Sequence, residues 1–148
     1  MNDPPDWFWR VLDSARPSLR RLADWLESAT QQEIEDYAVS FRNAAEDITN
    51  YWDGPEGYSE DSTEDLCTWT VSQGEVLWRK AVTREISLEE LVRIYEQVET
   101  GQESRYSNWI REETLNAYMG YLSPTGLPMI IYEQRFGADL YDRLDELE

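Results

Sequence analysis

Apolar residues recur every three or four positions over most of the chain, which is the spacing of amphipathic α-helices. The longest run follows Thr30, where Glu33 completes the capping-box pattern of a helix start. The apolar positions of this run are Ile34, Tyr37, Ala38, Phe41, Ala44, Ala45, Ile48 and Trp52. The pattern predicts a central helix over about residues 31–52, whose polar face holds Glu35, Asp36, Glu46 and Asp47.

We expect the rest of the fold to be organised around residues 58–74, where a group of acids gives way to apolar residues at helical spacing. Ser59 or Ser62 is the expected N-cap of this helix. Leu66, Cys67 and Trp69 are its expected buried positions, and Gly74 its expected end. A turn rich in glycine and proline, residues 53–57, separates it from the central helix.

Shorter helices are predicted on both sides of these two. Their expected ranges are 7–15, 17–27, 75–83, 87–100 and 138–147. The pattern between Gln102 and Pro128 is weaker, although Trp109 to Met119 suggests a further helix. Residues 129–132 fit either a short strand or a buried helix start, and a lone strand would lack a partner. The sequence therefore predicts an all-α fold, a single-domain bundle of six or seven helices around the central one.

The net charge restricts the possible binding partners, whereas the length bears only on the number of domains. With 148 residues and 17.5 kDa, the chain is expected to form one domain. Its formal net charge is −18, and residues 27–65 contain twelve acids against Arg42 alone. Nucleic acid and anionic membranes are poor partners for such a surface, whereas a basic protein is a good one.

The residue inventory excludes several kinds of chemistry. The chain has no histidine, so the commonest general base and nitrogen ligand are missing. It also lacks the Gly-x-Ser-x-Gly, Gly-x-Gly-x-x-Gly and phosphate-loop motifs. Cys67 lies among apolar neighbours and is expected to be an inert core thiol. We therefore predict neither catalytic residues nor a cofactor.

The acids from Asp53 to Asp65 do not have the spacing of a calcium-binding loop. If Asp53 took the first position, Pro55 and Gly57 would occupy the third and fifth positions, where oxygen ligands are needed. Acids in the first turn of a helix are instead expected to be solvated and to interact favourably with the helix dipole. The sequence predicts no metal site.

The compartment is expected to be the cytoplasm. A single cysteine allows no intrachain disulfide. The N-terminal residues lack the basic and apolar regions of a signal peptide, and no apolar run reaches the roughly 18 residues that a membrane span needs.

Several segments together resemble a bacterial family, mostly actinobacterial, called domain-of-unknown-function family 4240. They are Trp7-Phe8-Trp9, Leu12-Asp13-Ser14-Ala15-Arg16, the helix from Thr30 to Phe41, Ser59-Glu60-Asp61, Trp69 and Ser72-Gln73-Gly74. The family pattern has an aromatic first helix, then Gly-Gly-x-Ser-Asp-Asp and Phe-x-x-Phe-Arg-x-Trp-Leu-x-x-x-Gly. The resemblance covers residues 7–82 and implies that residues 83–148 are a helical extension packed on that part.

The chain departs from the family pattern at its most specific stretch. Where the family has a pair of glycines, this chain has Pro55-Glu56-Gly57-Tyr58. Where the family has Asp-Asp, this chain has Glu60-Asp61. Thr63, Leu66 and Cys67 occupy the positions of the two phenylalanines and the arginine. A family ligand site that used this arginine would be absent here. The family has no established activity, so the resemblance implies a fold and a bacterial setting but no mechanism.

The leading functional hypothesis is a non-enzymatic module that binds a basic protein, as an immunity or antitoxin-like protein or as a DNA mimic. Its expected contact residues are Glu35, Asp36, Glu46, Asp47, Tyr58, Glu60, Asp61, Glu64 and Asp65. The alternative is a small-molecule-binding or enzymatic domain with a pocket near residues 58–74. Its expected lining is Asp13, Arg16, Glu60, Asp61 and Trp69. A third possibility is an accessory domain whose acidity only confers solubility.

Overall fold

The computed structural model describes residues 3–49, 54–98, 109, 110, 115, 118 and 122–147. These residues contain eight α-helices: α1 (Asp6–Ala15), α2 (Leu19–Ser28), α3 (Gln31–Thr49), α4 (Glu60–Ser72), α5 (Glu75–Val82), α6 (Leu88–Val98), α7 (Gly126–Phe136) and α8 (Leu140–Leu147). They include no β-strand, although an isolated bridge pairs Ser18 with Ile110. The all-α prediction is confirmed, with more helices than the six or seven expected.

Helix α3 is the central element of the bundle, because α4, α5, α7 and α8 all pack against it. Its predicted capping box is confirmed. The Thr30 backbone N–H donates to Glu33 Oε1 at 2.8 Å, and the Glu33 backbone N–H donates to Thr30 Oγ1 at 3.1 Å. Residues 50–53, which the prediction added to the end of this helix or to the turn after it, lie outside the described residues.

An aromatic cluster joins α1 to α3. The ring of Phe8 lies 4.9 Å from Trp9, 5.3 Å from Tyr37 and 6.1 Å from Phe41, measured between ring centroids. Each such pair stabilises the fold by about 1 kcal/mol beyond the contribution of burying the rings. On another side of α3, the indole N–H of Trp78 in α5 donates to the carbonyl of Ala44 at 2.8 Å. Most of the predicted apolar stripe of α3 is therefore core.

Helix α4 begins and ends close to the predicted positions. Ser59 is its N-cap, since Ser59 Oγ accepts a hydrogen bond from the Ser62 backbone N–H at 3.0 Å. Leu66, Cys67 and Trp69 are buried as predicted. The helix ends at Ser72, and Gly74, with φ of +103°, is the N-cap residue of α5.

The segment around residues 129–132 is helical, which decides between the two predicted alternatives. Ser123 Oγ accepts a hydrogen bond from the Gly126 backbone N–H at 2.9 Å and so caps the start of α7. Pro128 fits the first turn, because an N–H there has no partner inside the helix. Helix α7 packs on α2 and α3, and α8 packs on α3 and α7.

Candidate functional site

An open groove of about 800 Å³ lies between α3, α4 and the starts of α7 and α8. Its floor consists of buried or half-buried residues: Ala38, Phe41, Ala45, Cys67, Pro128 and Leu140. Its rim contains Arg42, Glu46, Glu64, Asp65 and Tyr141. We call this feature the α3–α4 groove. An apolar floor with a few polar groups around it is typical of a binding site.

Helical spacing places the acids of the groove at its edge. On α3, residues 38, 42, 45 and 49 recur every three or four positions and line one side. On α4, the Ser59 cap fixes the start of the helix, and the burial of Leu66 and Cys67 then turns the neighbouring Glu64 and Asp65 outward. Two helices therefore bring three carboxylates to the same rim.

The rim is negatively charged. Among the described residues that line it, Arg42 is the one cation, and Arg42 Nη1 lies 3.9 Å from Asp145 Oδ1 on α8. In the part of the chain that the structure describes, neither Glu46 nor Glu64 forms an ion pair. Carboxylates of this kind favour a positively charged ligand, because its charge would offset their mutual repulsion.

The thiol of Cys67 in the groove floor has the properties of a buried core thiol. Burial, and then the negative charge of Glu64, raise the pKa of Cys67 to about 12. The thiol is therefore protonated at neutral pH, whereas a reactive cysteine needs a lowered pKa. This agrees with the prediction of an inert core thiol.

The predicted partner-binding residues do not form one continuous face. Three of them line the groove: Glu46 on α3 and Glu64 and Asp65 on α4. The exposed Glu60 and Asp61 lie one turn earlier on α4. The other members do not line the groove. Asp36 accepts a hydrogen bond from Gln32 Nε2 at 2.8 Å, and the Tyr58 hydroxyl donates to Glu96 Oε1 on α6 at 2.8 Å. Asp47 lies close enough to Asp3 for their charges to interact.

The prediction that Glu35 belongs to an exposed acidic face is wrong. Glu35 is only 2% exposed. The hydroxyl of Tyr132 on α7 donates to Glu35 Oε2 at 3.1 Å, and Arg143 Nε on α8 lies 3.5 Å from Glu35 Oε1. Helices α7 and α8 cover this side of α3, so Glu35 connects three helices and does not face a partner.

The predicted pocket of Asp13, Arg16, Glu60, Asp61 and Trp69 is not assembled. Trp69 is buried, with its ring 5.3 Å from that of Tyr95 on α6, whereas Glu60 and Asp61 are exposed on the first turn of α4. Asp13 lines a different, shallower groove of about 490 Å³. The remaining residues of that groove are Asp6, Trp9, Arg10, Ser14 and Glu75.

The Asp13 carboxylate has a structural role. Burial raises the pKa of Asp13, and the nearby backbone N–H of Glu75, the first residue of α5, partly offsets this rise. Arg16 lies beside Asp13, and both side chains are close to Gly74. Asp13, Arg16 and Gly74, three residues on which the family resemblance depends, therefore meet where α1 packs on the start of α5.

Sequence reasoning missed Arg42, Thr68, Pro128 and Tyr141 as groove residues. No local pattern identifies them, because the groove combines segments about 100 residues apart in the chain.

The described residues contain no group of three or more His, Cys, Asp or Glu side chains placed to hold a metal ion. They also contain no helix with the length and apolar character needed to cross a membrane.

Comparison with protein-family models, with curated proteins and with solved structures found no match to this chain. The resemblance to family 4240 therefore stays a prediction.

Proposed function

We propose that this protein is a non-enzymatic module that binds a basic protein partner in the α3–α4 groove. The observation that supports this most directly is the combination of an apolar floor with Glu46, Glu64 and Asp65 on the rim. The floor would supply most of the binding energy, and the carboxylates would steer the partner and select for positive charge. A cytoplasmic setting is part of this proposal.

The net charge of −18 supports the same function at long range. A strongly acidic protein attracts basic partners and accelerates their association, and salt weakens this effect. Two forms of the proposal are an immunity or antitoxin-like protein that covers a basic toxin and a DNA mimic that occupies a nucleic-acid-binding surface. The groove favours the first form, since it offers a concave site in addition to negative charge.

The proposal is tested by capture from a lysate of the source organism. The groove variant combines Glu46→Gln, Glu64→Gln and Asp65→Asn. A matched control combines Glu85→Gln, Glu89→Gln and Glu133→Gln, which removes the same charge from exposed positions outside the groove. Both variants should keep the wild-type circular dichroism spectrum, and because they remove the same charge they should unfold at similar midpoints.

We expect the wild-type and control proteins to capture one basic protein at low salt and to release it near 0.5 M salt. The groove variant should bind this protein roughly 10-fold to 100-fold more weakly, since each exposed ion pair contributes up to about 1 kcal/mol. A partner that binds the groove variant and the control equally well would contradict the proposal.

A second candidate function is the binding of a small cationic molecule in the same groove. The groove volume of about 800 Å³ favours it, because sites for small ligands measure roughly 300–1,000 Å³. Native mass spectrometry of the protein purified from its source would detect such a molecule. Its loss in the groove variant, without loss of a captured protein, would favour this function over the first.

A further inference from the structure

The hydroxyl group of Tyr37 is buried without a hydrogen-bond partner among the described residues. Tyr37 is 1% exposed and also lines the α3–α4 groove. Its ring is held by aromatic neighbours, with centroids 5.3 Å from Phe8, 5.5 Å from Trp25 and 6.2 Å from Phe41. The ring therefore contributes to the core, while its hydroxyl is left unpaired.

An unpaired buried hydroxyl opposes folding, because the group has lost its hydrogen bonds to water. A phenylalanine would fill nearly the same space without this cost. Burial also raises the pKa of Tyr37, so the hydroxyl stays protonated and able to donate. These properties suggest that a bound group supplies the missing hydrogen bond.

The shape of the groove indicates what kind of ligand this is. The positions of α3 that line it run from Tyr37 to Thr49, which is about 18 Å along a helix axis. That length corresponds to about three turns of a bound helix and exceeds what one side chain fills. An apolar floor bounded by acids matches a helix with an apolar face and basic flanks.

We propose that the groove binds a basic amphipathic helix of the partner protein and that the groove opens on binding, so that this helix places a polar group against the Tyr37 hydroxyl, which is closed off from solvent in the free protein. Its apolar side chains would lie on Phe41, Pro128 and Leu140, and its Lys or Arg side chains would meet Glu46 and Glu64. This inference rests on the proposed function and adds to it the form of the ligand and a residue that determines specificity.

The test selects binders from a displayed library of random peptides of about four helical turns. We expect the selected peptides to combine Lys or Arg with apolar residues at three- and four-residue spacing and to become helical on binding. Fluorescence anisotropy then measures the affinity of one such peptide for the wild type, Tyr37→Phe, the groove variant and the surface control. Circular dichroism of the complex reports the helicity.

Tyr37→Phe should weaken peptide binding about 3-fold to 10-fold, the value of one hydrogen bond, and leave the unfolding midpoint unchanged or raised. A lowered midpoint would mean that the hydroxyl serves the fold, which would overturn the inference. A second variant, Ala45→Arg, should abolish peptide binding by placing a cationic side chain in the groove. Unchanged affinity in this folded variant would also overturn the inference.

The outcomes separate the two proposals. If the groove variant weakens binding and Tyr37→Phe does not, the partner uses only the acidic rim, so the inference fails and the proposed function stands. If the groove variant binds the selected peptide as the control does, the inference fails, and if it also captures the basic protein as the control does, the proposed function fails with it. Selection of no peptide, or of peptides without basic residues, would overturn the inference alone, since lysate capture tests the function separately.

Discussion

Among single residues, Gly74 occupies a position that requires glycine for two reasons. Its φ is +103°, which residues with a Cβ rarely adopt, and a Cβ at this position would lie 2.5 Å from Asp13 Oδ1. The Asp13 carboxylate lies close to the backbone N–H of Glu75, one of the free donors at the start of α5. The close approach of Asp13 to this helix start therefore depends on a glycine.

The replacement Gly74→Ala should lower the free energy of unfolding by about 2–4 kcal/mol, because it adds a clash with Asp13 to the strain of a positive φ. Gly57→Ala is the matched control. Gly57 has φ of +86°, and, apart from the two adjacent residues, no heavy atom lies within 4 Å of where its Cβ would be, so only the strain of about 1 kcal/mol applies. Urea denaturation measures both losses, and equal losses would contradict the role given to Asp13.

Glu35 and Asp36 show what residue patterns cannot predict. Helical periodicity places both acids on the polar side of α3, yet Asp36 is exposed and Glu35 is 2% exposed. The difference depends on Tyr132 and Arg143, which lie about 100 residues further along the chain. A sequence pattern separates the faces of a helix but does not say which other helix covers each face.

At the scale of secondary-structure elements, α3 connects most of the bundle. Phe41 of this helix is 5% exposed and borders both the aromatic cluster and the groove floor, whereas Phe8 of α1 is completely buried. The two phenylalanines therefore occupy the edge and the centre of the same core. Replacing each of them with alanine should therefore lower the free energy of unfolding by a different amount.

Phe41→Ala should destabilise the protein by about 3 kcal/mol, and Phe8→Ala by about 5 kcal/mol, because water can enter the space left beside an open groove but not the space at the centre. Chemical denaturation of both variants measures the losses. A loss below about 1 kcal/mol for Phe41→Ala would mean that α3 is not the central element of the fold.

The helices that were predicted most closely are those with strong local signals. The capping box at Thr30 and the N-cap at Ser59 mark the starts of α3 and α4, and both signals depend only on residues within four positions. Helix α7 was ambiguous because the apolar residues around Ile131 fit a strand as well as a buried helix. Pro128 adds to the ambiguity, because proline is rare inside a helix, although here it lies in the first helical turn.

The α3–α4 groove could not be predicted from local signals at all. Glu64 and Asp65 were expected to be exposed acids, but their position opposite Glu46 follows from how α4 packs on α3. The remaining wall comes from Pro128 and Tyr141, on helices whose packing depends on contacts distant in sequence. The acidic character of the site was thus predictable, and its shape was not.

At the scale of the whole molecule, negative charge opposes folding. The net charge is −18, so the folded chain concentrates acids that repel each other. Burial raises the pKa of Asp13 and of Asp47 above their ordinary values, and the charges of Asp3 and Glu46 add to the effect at Asp47. For both carboxyl groups the folded state favours the protonated form.

The sign of the pH dependence follows from these shifts. A carboxyl group with a raised pKa in the folded state binds more protons there than in the unfolded state, so protonation stabilises the fold. The free energy of unfolding should therefore increase as the pH falls from 7 towards 5, and added salt at pH 7 should act in the same direction. Thermal unfolding at low salt measures this, and a steady loss of stability towards pH 5 would contradict it.

Binding of a basic partner in the α3–α4 groove can be located by an NMR titration of the ¹⁵N-labelled protein with the captured partner. We predict that the largest chemical-shift changes occur at Glu46 and Thr49 on α3, at Glu64 to Thr68 on α4 and at Tyr141 on α8. The groove variant should lose these changes. Largest changes on α5 and α6, with the groove unaffected, would contradict binding in the groove.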